Sequence, residues 1–159
     1  MLVCRHWRNV ALASPTLWRV IDAAFKTSWT ALLLARSCPA TIDFTFGIRG
    51  FSPGKTLRAL LPHSSRLRSL KFSRIQAVWR PAAVSFVRSV AGFPSLEVLE
   101  FPVASTRPDP GEVLDNLADI GLSFQRFPSL HSLLLHFTIA PQDPLLCAGL
   151  RKLSLTHCI

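Results

Sequence analysis

Residues 129–135 read Ser-Leu-His-Ser-Leu-Leu-Leu, and the apolar phrase within them, Leu-x-x-Leu-x-Leu or Phe, decides the fold. A looser copy of this phrase lies at Ile42, Phe44 and Phe46. Two of the full copies share the longer frame Phe-Pro-Ser-Leu, which begins at Phe93 and at Phe127. The full copies stand at Leu67, Leu70 and Phe72, at Leu96, Leu99 and Phe101, at Leu130, Leu133 and Leu135, and at Leu150, Leu153 and Leu155.

The copies are spaced like the units of a repeat protein. With Ile42 aligned to the middle leucine, the middle positions are 42, 70, 99, 133 and 153, which lie 28, 29, 34 and 20 residues apart. Recurrence every 20 to 50 residues or so is typical of solenoids and related arrays. The last copy also fits the extended leucine-rich-repeat pattern. Cys158 follows Leu155 by three residues, at the position where that pattern has Asn or Cys.

Each phrase predicts a β-strand. Its last two apolar residues are two positions apart, which puts both side chains on one face of a strand. A single strand of this kind cannot bury its apolar face alone, whereas strands stacked side by side share one core. The alternative is that Leu-x-x-Leu forms a turn of an amphipathic helix. Pro94, Pro128 and Gly149 closely precede three copies and argue against a helix running through them.

Helices are predicted between the strands. The predicted strands cover 41–46, 69–73, 97–101, 131–135 and 152–156, and the predicted helices cover 29–37, 53–61, 81–91 and 110–124. A short loop around Pro141 and Pro144 is expected before the last strand. This alternation predicts an α/β fold: a curved parallel sheet with helices on one side, forming a leucine-rich-repeat-like solenoid over residues 26–159.

The composition is that of one globular domain. The chain has 159 residues, of which 49% are hydrophobic and 17% charged, so a packed core is expected rather than disorder. The longest aliphatic run, Ala31–Ala35, is too short to cross a bilayer, and no signal peptide is expected, so no membrane partner is predicted. Cys4, Cys38, Cys147 and Cys158 are scattered and are expected to be reduced and buried. An intracellular protein, cytoplasmic or nuclear, follows from this reading.

Positive charge is concentrated in the first part of the chain. The whole sequence carries 18 basic and 9 acidic residues, for a net charge of +9. Only Asp22 and Asp43 are acidic within residues 1–92, whereas residues 93–159 are net negative. This pattern is compatible with an anionic partner. Arginine stems that cover the outer surface of a solenoid also explain this concentration of positive charge. The absence of a long basic run favours that explanation, so nucleic acid is not the expected partner.

The first residues predict two short helices. Apolar residues at helical spacing indicate a helix over residues 2–13, namely Val3, Trp7, Val10 and Ala11. Ser14 and Pro15 form an N-cap and a first-turn proline for a second helix. That second helix is predicted to carry Leu17, Trp18 and Ile21. Trp7, Trp18, Trp29 and Trp79 are expected to anchor the core.

Together these residues resemble the C-terminal half of an F-box. The matching pattern is Val3-Cys4-Arg5-x-Trp7-Arg8-x-x-Ala11 followed by Ser14-Pro15-x-Leu17-Trp18. The resemblance implies a short helical F-box remnant over residues 1–25, followed by leucine-rich repeats in a familiar arrangement. It also implies which side chains pack the module and face an adaptor: Val3, Cys4, Trp7, Leu17 and Trp18.

The resemblance further implies a non-catalytic substrate receptor of a Skp–cullin–F-box ubiquitin ligase. Such a receptor holds a Skp-type adaptor by its F-box and an unknown target protein by its repeats. The front half of the motif, with its Leu-Pro-x-Glu-like start, is not in the sequence, and Met1 falls inside the module. We therefore expect weak adaptor binding. Two alternatives stay open: a repeat scaffold without a ligase role, and an Arg-rich nucleic-acid binder.

No catalytic constellation is found. The sequence has no Gly-rich phosphate loop, no Ser-centred elbow and no HExxH motif. His136 and His157 could be neighbours at the ends of adjacent strands, and Cys158 is a possible third ligand, but it occupies a core position of the repeat. Asp115 and Asp119 share a helix face and are expected to be a solvated pair. We therefore predict neither an enzyme, nor a cofactor, nor a metal site.

The candidate partner-binding surface is the sheet face that no helix covers. Its residues are those that alternate with the inward leucines and phenylalanines, and parallel strands bring them within about 5 Å of one another. They are mixed and mostly polar, and Leu134 is the apolar exception and a candidate hot spot. The set comprises Asp43, Thr45, Ser69, Lys71, Ser73, Val98, Glu100, Ser132, Leu134, His136, Lys152, Ser154 and Thr156.

The strand over 152–156 is expected to be an exposed edge. The copy Leu150–Leu155 is the last in the sequence, and no polar capping unit follows it before Ile159. An uncapped strand offers unpaired backbone groups, so self-association is expected.

Overall fold

Six parallel strands form a single sheet in the order of the sequence. The computed structural model describes residues 4–23, 27–46, 53–72, 80–101, 120–136 and 140–156. The strands are β1 (Val20–Asp22), β2 (Ile42–Phe46), β3 (Leu67–Phe72), β4 (Val98–Phe101), β5 (Ser132–His136) and β6 (Lys152–Thr156). Each strand pairs with the next one along the chain, so the sheet runs from β1 to β6 without a crossover between distant strands. The predicted α/β fold with a parallel sheet is confirmed.

Helices connect the strands. They are α1 (Arg5–Leu12), α2 (Thr27–Arg36), α3 (Pro53–Leu60), α4 (Arg80–Ser89) and α5 (Pro144–Gly149), with 3₁₀ turns at Pro15–Trp18 and Leu61–Arg66. The buried side chains of α2, α3 and α4, among them Leu34, Leu60 and Val87, belong to the same core as the inward residues of the strands. The core therefore lies between the helices and one face of the sheet.

The register places one inward residue of each strand in a continuous row. This row contains Ile21, Phe44, Leu70, Leu99, Leu133 and Leu153. The predicted alignment of Ile42 with the middle leucine is wrong, because Phe44 is the partner of Leu70 and Ile42 is the partner of Leu67. The three apolar residues of β2 have equal spacing, so the pattern alone does not distinguish the two alignments.

Three other predicted elements differ in the structure. Ile21 lies in strand β1 and not in a helix, so the sheet begins within the segment 1–25 that was predicted to be helical. Residues 120–126 form turns and irregular chain where the end of the helix over 110–124 was predicted, and the earlier part of that helix lies outside the described residues. The predicted loop at Pro144 is helix α5, because the Asp143 carboxylate accepts hydrogen bonds from the backbone N–H groups of Leu145 and Leu146 at 2.9 and 3.4 Å.

Aromatic rings run through the core at two levels. The rings of Phe44, Phe46, Phe72 and Phe101 follow one another with centroid distances of 4.9, 5.2 and 4.8 Å. Phe93 and Phe127, the first residues of the two Phe-Pro-Ser-Leu frames, are fully buried and stack at 5.3 Å with an interplanar angle of 11°. The repeated frame therefore corresponds to a repeated packing position.

Arg126 joins helix α4 to the irregular segment before β5. Its guanidinium donates hydrogen bonds to the carbonyl oxygens of Val87 and Val90, at the end of α4, at 2.5 and 2.9 Å. It also donates to the carbonyl oxygens of Ile120 and Gly121, at 3.2 and 2.8 Å. Carbonyl groups at a helix C-terminus lack partners within the helix, and a cation there is favoured by the helix dipole. The arginine thus supplies donors that the backbone itself cannot supply.

Arg66 has a similar position at the end of helix α2. One of its nitrogens, Nη2, donates to the Ser37 hydroxyl at 2.8 Å and to the Leu34 carbonyl at 3.3 Å. The other two guanidinium nitrogens are buried without a hydrogen-bond partner. Burial and the charge of Arg66, in that order, lower the pKa of His63 from its ordinary value of 6.5.

The lowered pKa of His63 predicts acid sensitivity. Below pH 6.5 the unfolded chain binds a proton at this position more readily than the folded chain, so stability should fall as the pH falls below that value. The measurement is the denaturant midpoint at pH 8 and at pH 5 for the wild type and for His63→Gln. We expect the variant to lose less stability on acidification. Parallel pH profiles of the two proteins would contradict this assignment.

Two predictions about burial are wrong. Trp7 and Trp29 are 65% and 54% exposed, so they do not anchor the core, and Trp79 lies outside the described residues. Cys4, Cys38 and Cys147 are exposed free thiols, whereas burial was predicted, and Cys158 is not described. Composition gives the average burial of a residue type and does not place it on a particular face.

Within the described segments, no helix is both long enough and apolar enough to span a membrane.

Candidate functional site

Two rows of side chains cross the sheet on the face opposite the core. The first row contains Val20, Asp43, Ser69, Val98, Ser132 and Lys152, and the second contains Asp22, Thr45, Lys71, Glu100, Leu134 and Ser154. His136 and Thr156 pair beyond the second row. The register therefore brings the described members of the predicted surface together, and Ser73 lies outside the described residues. We call these two rows the sheet face.

The sheet face is less open than the sequence suggests. Ser69 is buried, and Leu134 is only half-buried rather than fully exposed. Leu134 lies between Glu100 and Ser154 in its row, so an apolar side chain is flanked by a carboxylate and a hydroxyl. Val20 and Val98 are further apolar members of the first row. A mostly polar face with a few apolar side chains suits a protein contact of modest size.

Ion pairs cross the strands at the start of the sheet face. Arg68 donates hydrogen bonds to both carboxylate oxygens of Asp43, with Nε–Oδ1 and Nη2–Oδ2 distances of 2.9 and 2.6 Å. Arg19 approaches the same carboxylate at 3.6 Å. The hydrogen bond to Asp43 is the main cause of the raised pKa of Arg68. Arg68 is the extra residue of a register shift between β2 and β3, and such a bulge redirects a side chain.

Further pairs continue the pattern toward β5. The Lys71 ammonium lies 2.8 Å from the Glu100 carboxylate, and both side chains are about one-third exposed. Nε2 of His131 lies 3.6 Å from the Glu97 carboxylate. Exposed pairs of this kind contribute less than about 1 kcal/mol each, so they define charge positions more than stability. Sequence reasoning missed Arg19, Arg68, Glu97 and His131. Three of them immediately precede a strand, and Arg68 is the second residue of β3.

The N-terminal helix has an uncovered apolar side. Helix α1 buries none of its residues, and Trp7 and Leu17 are each 65% exposed. Cys4, at its N-cap, is also exposed, and Val3 lies outside the described residues. The predicted adaptor-side residues Cys4, Trp7 and Leu17 are therefore accessible.

Trp18 connects this helix to the rest of the molecule. Its indole N–H donates to the Ala11 carbonyl at 2.7 Å, and the Arg36 guanidinium of α2 lies 4.7 Å from the centre of its ring. The side chain is half-buried. Since it contacts α1 on one side and α2 on the other, Trp18 fixes the position of α1.

Trp18→Ala should therefore destabilise the N-terminal segment. We expect a loss of about 2 kcal/mol in the free energy of unfolding, less than the roughly 3–5 kcal/mol of a fully buried tryptophan. Chemical unfolding monitored by far-ultraviolet circular dichroism measures it. Trp29→Ala, at an exposed position, is the matched control and should change stability by less than about 0.5 kcal/mol. Equal effects of the two substitutions would show that Trp18 does not hold α1.

The described residues contain no group of three or more His, Cys, Asp or Glu side chains that could hold a metal ion. Asp115, Asp119, His157 and Cys158, which were considered from the sequence, lie outside the described ranges. The candidate functional features of the described residues are surfaces: the sheet face, the apolar side of α1 and the outer edge of β6, which lacks a described strand.

The geometry is the main guide to function, because comparisons of the chain with protein-family models, with curated proteins and with solved structures find no match.

Proposed function

We propose that this protein is a substrate receptor in which an F-box-like N-terminal segment meets a Skp-type adaptor and a leucine-rich-repeat-type solenoid meets a target protein. The observation that carries the proposal is helix α1, which keeps an apolar side exposed while Trp18 attaches it to the sheet domain. Trp7, Val10, Leu12 and Leu17 are each at least 40% exposed, and exposed large apolar side chains grouped in this way mark interaction sites. The in-order parallel sheet supports the solenoid part of the proposal.

In this function the protein performs no chemistry itself. It holds the target beside a conjugating enzyme and so raises the effective concentration of the target's lysines. A stable spacing between the two binding surfaces is then useful, and Trp18 and Arg36 supply it by connecting α1 to α2. The sheet face, with its half-buried Leu134 and its ion pairs, is the proposed target-binding surface.

Adaptor binding is tested with a purified Skp-type adaptor and isothermal titration calorimetry. The 159-residue chain is used by itself and also with the front half of an F-box fused before Met1. We expect weak binding by the first form and firm binding by the second, abolished by Trp7→Asp together with Leu17→Asp. Trp29→Asp, at another exposed tryptophan, is the matched control and should have no effect. Failure of the fused form to bind would refute the F-box part of the proposal.

Target binding is tested by proximity labelling in cells. The variant Lys71→Glu with Leu134→Asp alters the sheet face, and Lys55→Glu with Leu32→Asp makes the same kinds of change on exposed positions of the helices. We expect the first pair to remove captured proteins and the second to leave them in place. If the sheet-face variant has unchanged stability and captures the same proteins as the wild type, the target binds another surface.

Nucleic-acid binding is the second candidate, and one observation favours it. Helices α1 to α4 contain no aspartate or glutamate, whereas the acidic residues among the described ones lie on the strands or directly before a strand or helix. The helical side therefore carries basic side chains such as Arg5, Lys55 and Arg58. Fluorescence anisotropy with single-stranded RNA and duplex DNA tests this candidate. Affinity should fall about tenfold or more between 50 and 200 mM salt if several phosphates are contacted.

A further inference from the structure

Strand β6 differs from the other strands in the exposure of its inward residues. Leu153 and Leu155 are the register partners of Leu133 and Leu135 on β5, and those two residues are fully buried. Leu153 and Leu155 are instead 48% and 43% exposed. Among the described strands, β6 has a neighbour on one side only, which is β5.

The backbone of β6 is available on the side away from β5. The N–H of Lys152 points toward β5, where it donates to the His131 carbonyl at 3.0 Å. Because successive residues of a strand direct their backbone groups to opposite sides, the N–H and C=O groups of Leu153 and Leu155 point away from β5. An edge of this kind accepts another strand by main-chain hydrogen bonds.

The charges beside this edge are not balanced within the described part of the chain. On the rest of the sheet, the carboxylates of Asp43, Glu97 and Glu100 each lie beside a basic side chain of a neighbouring strand or strand start. Arg151 and Lys152 are exposed, and none of the described carboxylates lies within ion-pair distance of them. A partner carboxylate next to β6 would continue the alternation of charge that crosses the sheet.

We propose that the outer edge of β6 binds an extended acidic and apolar segment of a partner protein as a seventh strand. Alternate apolar side chains of that segment cover Leu153 and Leu155, and carboxylates at its start meet Arg151 and Lys152. Backbone pairing provides the general affinity, and the carboxylates provide selectivity. This surface shares Lys152 with the sheet face. It does not include α1, so the proposal does not depend on adaptor binding.

The sequence predicted self-association at this strand, but a second copy of this chain fits the edge less well than an acidic segment. Continuing the register onto β1 of another copy, with Leu153 beside Ile21, would place Arg19 beside Arg151. Pairing β6 with another β6 brings no carboxylate, because residues 151–156 contain none. The large positive net charge of +9 also opposes self-association.

The test uses the full chain and a synthetic peptide, acetyl-Glu-Asp-Leu-Thr-Leu-Thr-amide. The peptide matches residues 151–156 position by position, with carboxylates beside Arg151 and Lys152 in a parallel alignment. Calorimetry measures affinity, and hydrogen exchange of residues 152–156 reports strand addition. Two control peptides are used: one with lysine in place of both acidic residues, and one N-methylated on alternate amides, which cannot pair on one edge.

We expect the acidic peptide to bind and to slow amide exchange at Leu153 and Leu155. The lysine peptide should bind about tenfold more weakly or worse, and the N-methylated peptide should not bind. Arg151→Glu with Lys152→Glu should reverse the preference between the acidic and the lysine peptides, which a loss of folding could not do. Equal binding of both peptides, or binding without added protection on β6, would overturn the proposal. Dimerisation through β6 would also overturn the proposal. The same holds if the monomeric protein does not bind the acidic peptide.

Discussion

Replacing Phe93 by alanine should lower the free energy of unfolding by about 3–5 kcal/mol. Phe93 is fully buried, and its ring is stacked on Phe127 and lies 6.2 Å from that of Phe86. Its removal deletes one ring of a three-ring cluster and leaves a cavity between α4 and the segment before β5. Urea or guanidinium unfolding of the full chain measures the loss.

Two controls separate this packing effect from a general effect of losing a phenylalanine. Phe124→Ala changes a ring that is 40% exposed and should cost less than about 1 kcal/mol. The double variant Phe93→Ala with Phe127→Ala should cost less than the sum of the single variants, because the stacked pair is lost only once. Coupling between aromatic partners is typically about 0.5–1.5 kcal/mol. Full additivity would show that the two rings are independent.

Replacing Arg126 by alanine should cost about 3 kcal/mol of stability. Four carbonyl groups, at Val87, Val90, Ile120 and Gly121, lose a charged donor. Hydrogen bonds to charged groups contribute roughly 1.5–3 kcal/mol each, but they share one side chain here and water replaces part of what is lost, so the total stays well below their sum. Chemical unfolding measures the difference.

Three further substitutions test the role of Arg126 more specifically. Arg126→Lys keeps the charge but has a single nitrogen, so it should recover only part of the loss. Arg58→Ala removes an exposed arginine and should change stability by less than about 0.5 kcal/mol. Gly121→Ala would place its Cβ 2.6 Å from Nη1 of Arg126, so part of its cost should disappear in the Arg126→Ala background. If Arg126→Ala and Arg58→Ala behave alike, the carbonyl groups are satisfied without Arg126.

The strand positions were predictable because they depend on a spacing of two between large apolar residues. Leu70 with Phe72 and Leu133 with Leu135 have that spacing, and both pairs are buried in the sheet. Their neighbours along the chain face the other way for the same geometric reason, so the sheet face could be derived with them. Parallel pairing then followed from the intervening helices.

The missed elements lack a repeated apolar pattern. Strand β1 has three residues, and Ile21 alone is buried, so nothing in the sequence distinguishes it from the preceding turn. Helix α5 is short and begins at a proline, which also marks loops, and its formation depends on the cap provided by Asp143. Hydrophobic pattern identifies elements that are long enough to repeat it.

The electrostatic details of the candidate surfaces could not be derived from the sequence. Arg68 reaches Asp43 through a register shift between β2 and β3, and pairing across 25 residues of chain depends on the final register. The exposure of Leu153 and Leu155 depends on what lies beside β6 in three dimensions, since their phrase is the same as that of the buried strands. Sequence pattern specifies which way a side chain points, and tertiary structure specifies what it meets.

In the in-order sheet, the register of the strands does not depend on the length of the connections between them. Successive members of the row from Ile21 to Leu153 are 23, 26, 29, 34 and 20 residues apart, yet they all lie in register. Insertions and deletions between strands are therefore tolerated, because the closure entropy of a connection grows slowly with its length. A single residue inserted within a strand would instead exchange its core and solvent faces. Length variation during the evolution of such a chain should accordingly accumulate in the connections and be excluded from the strands.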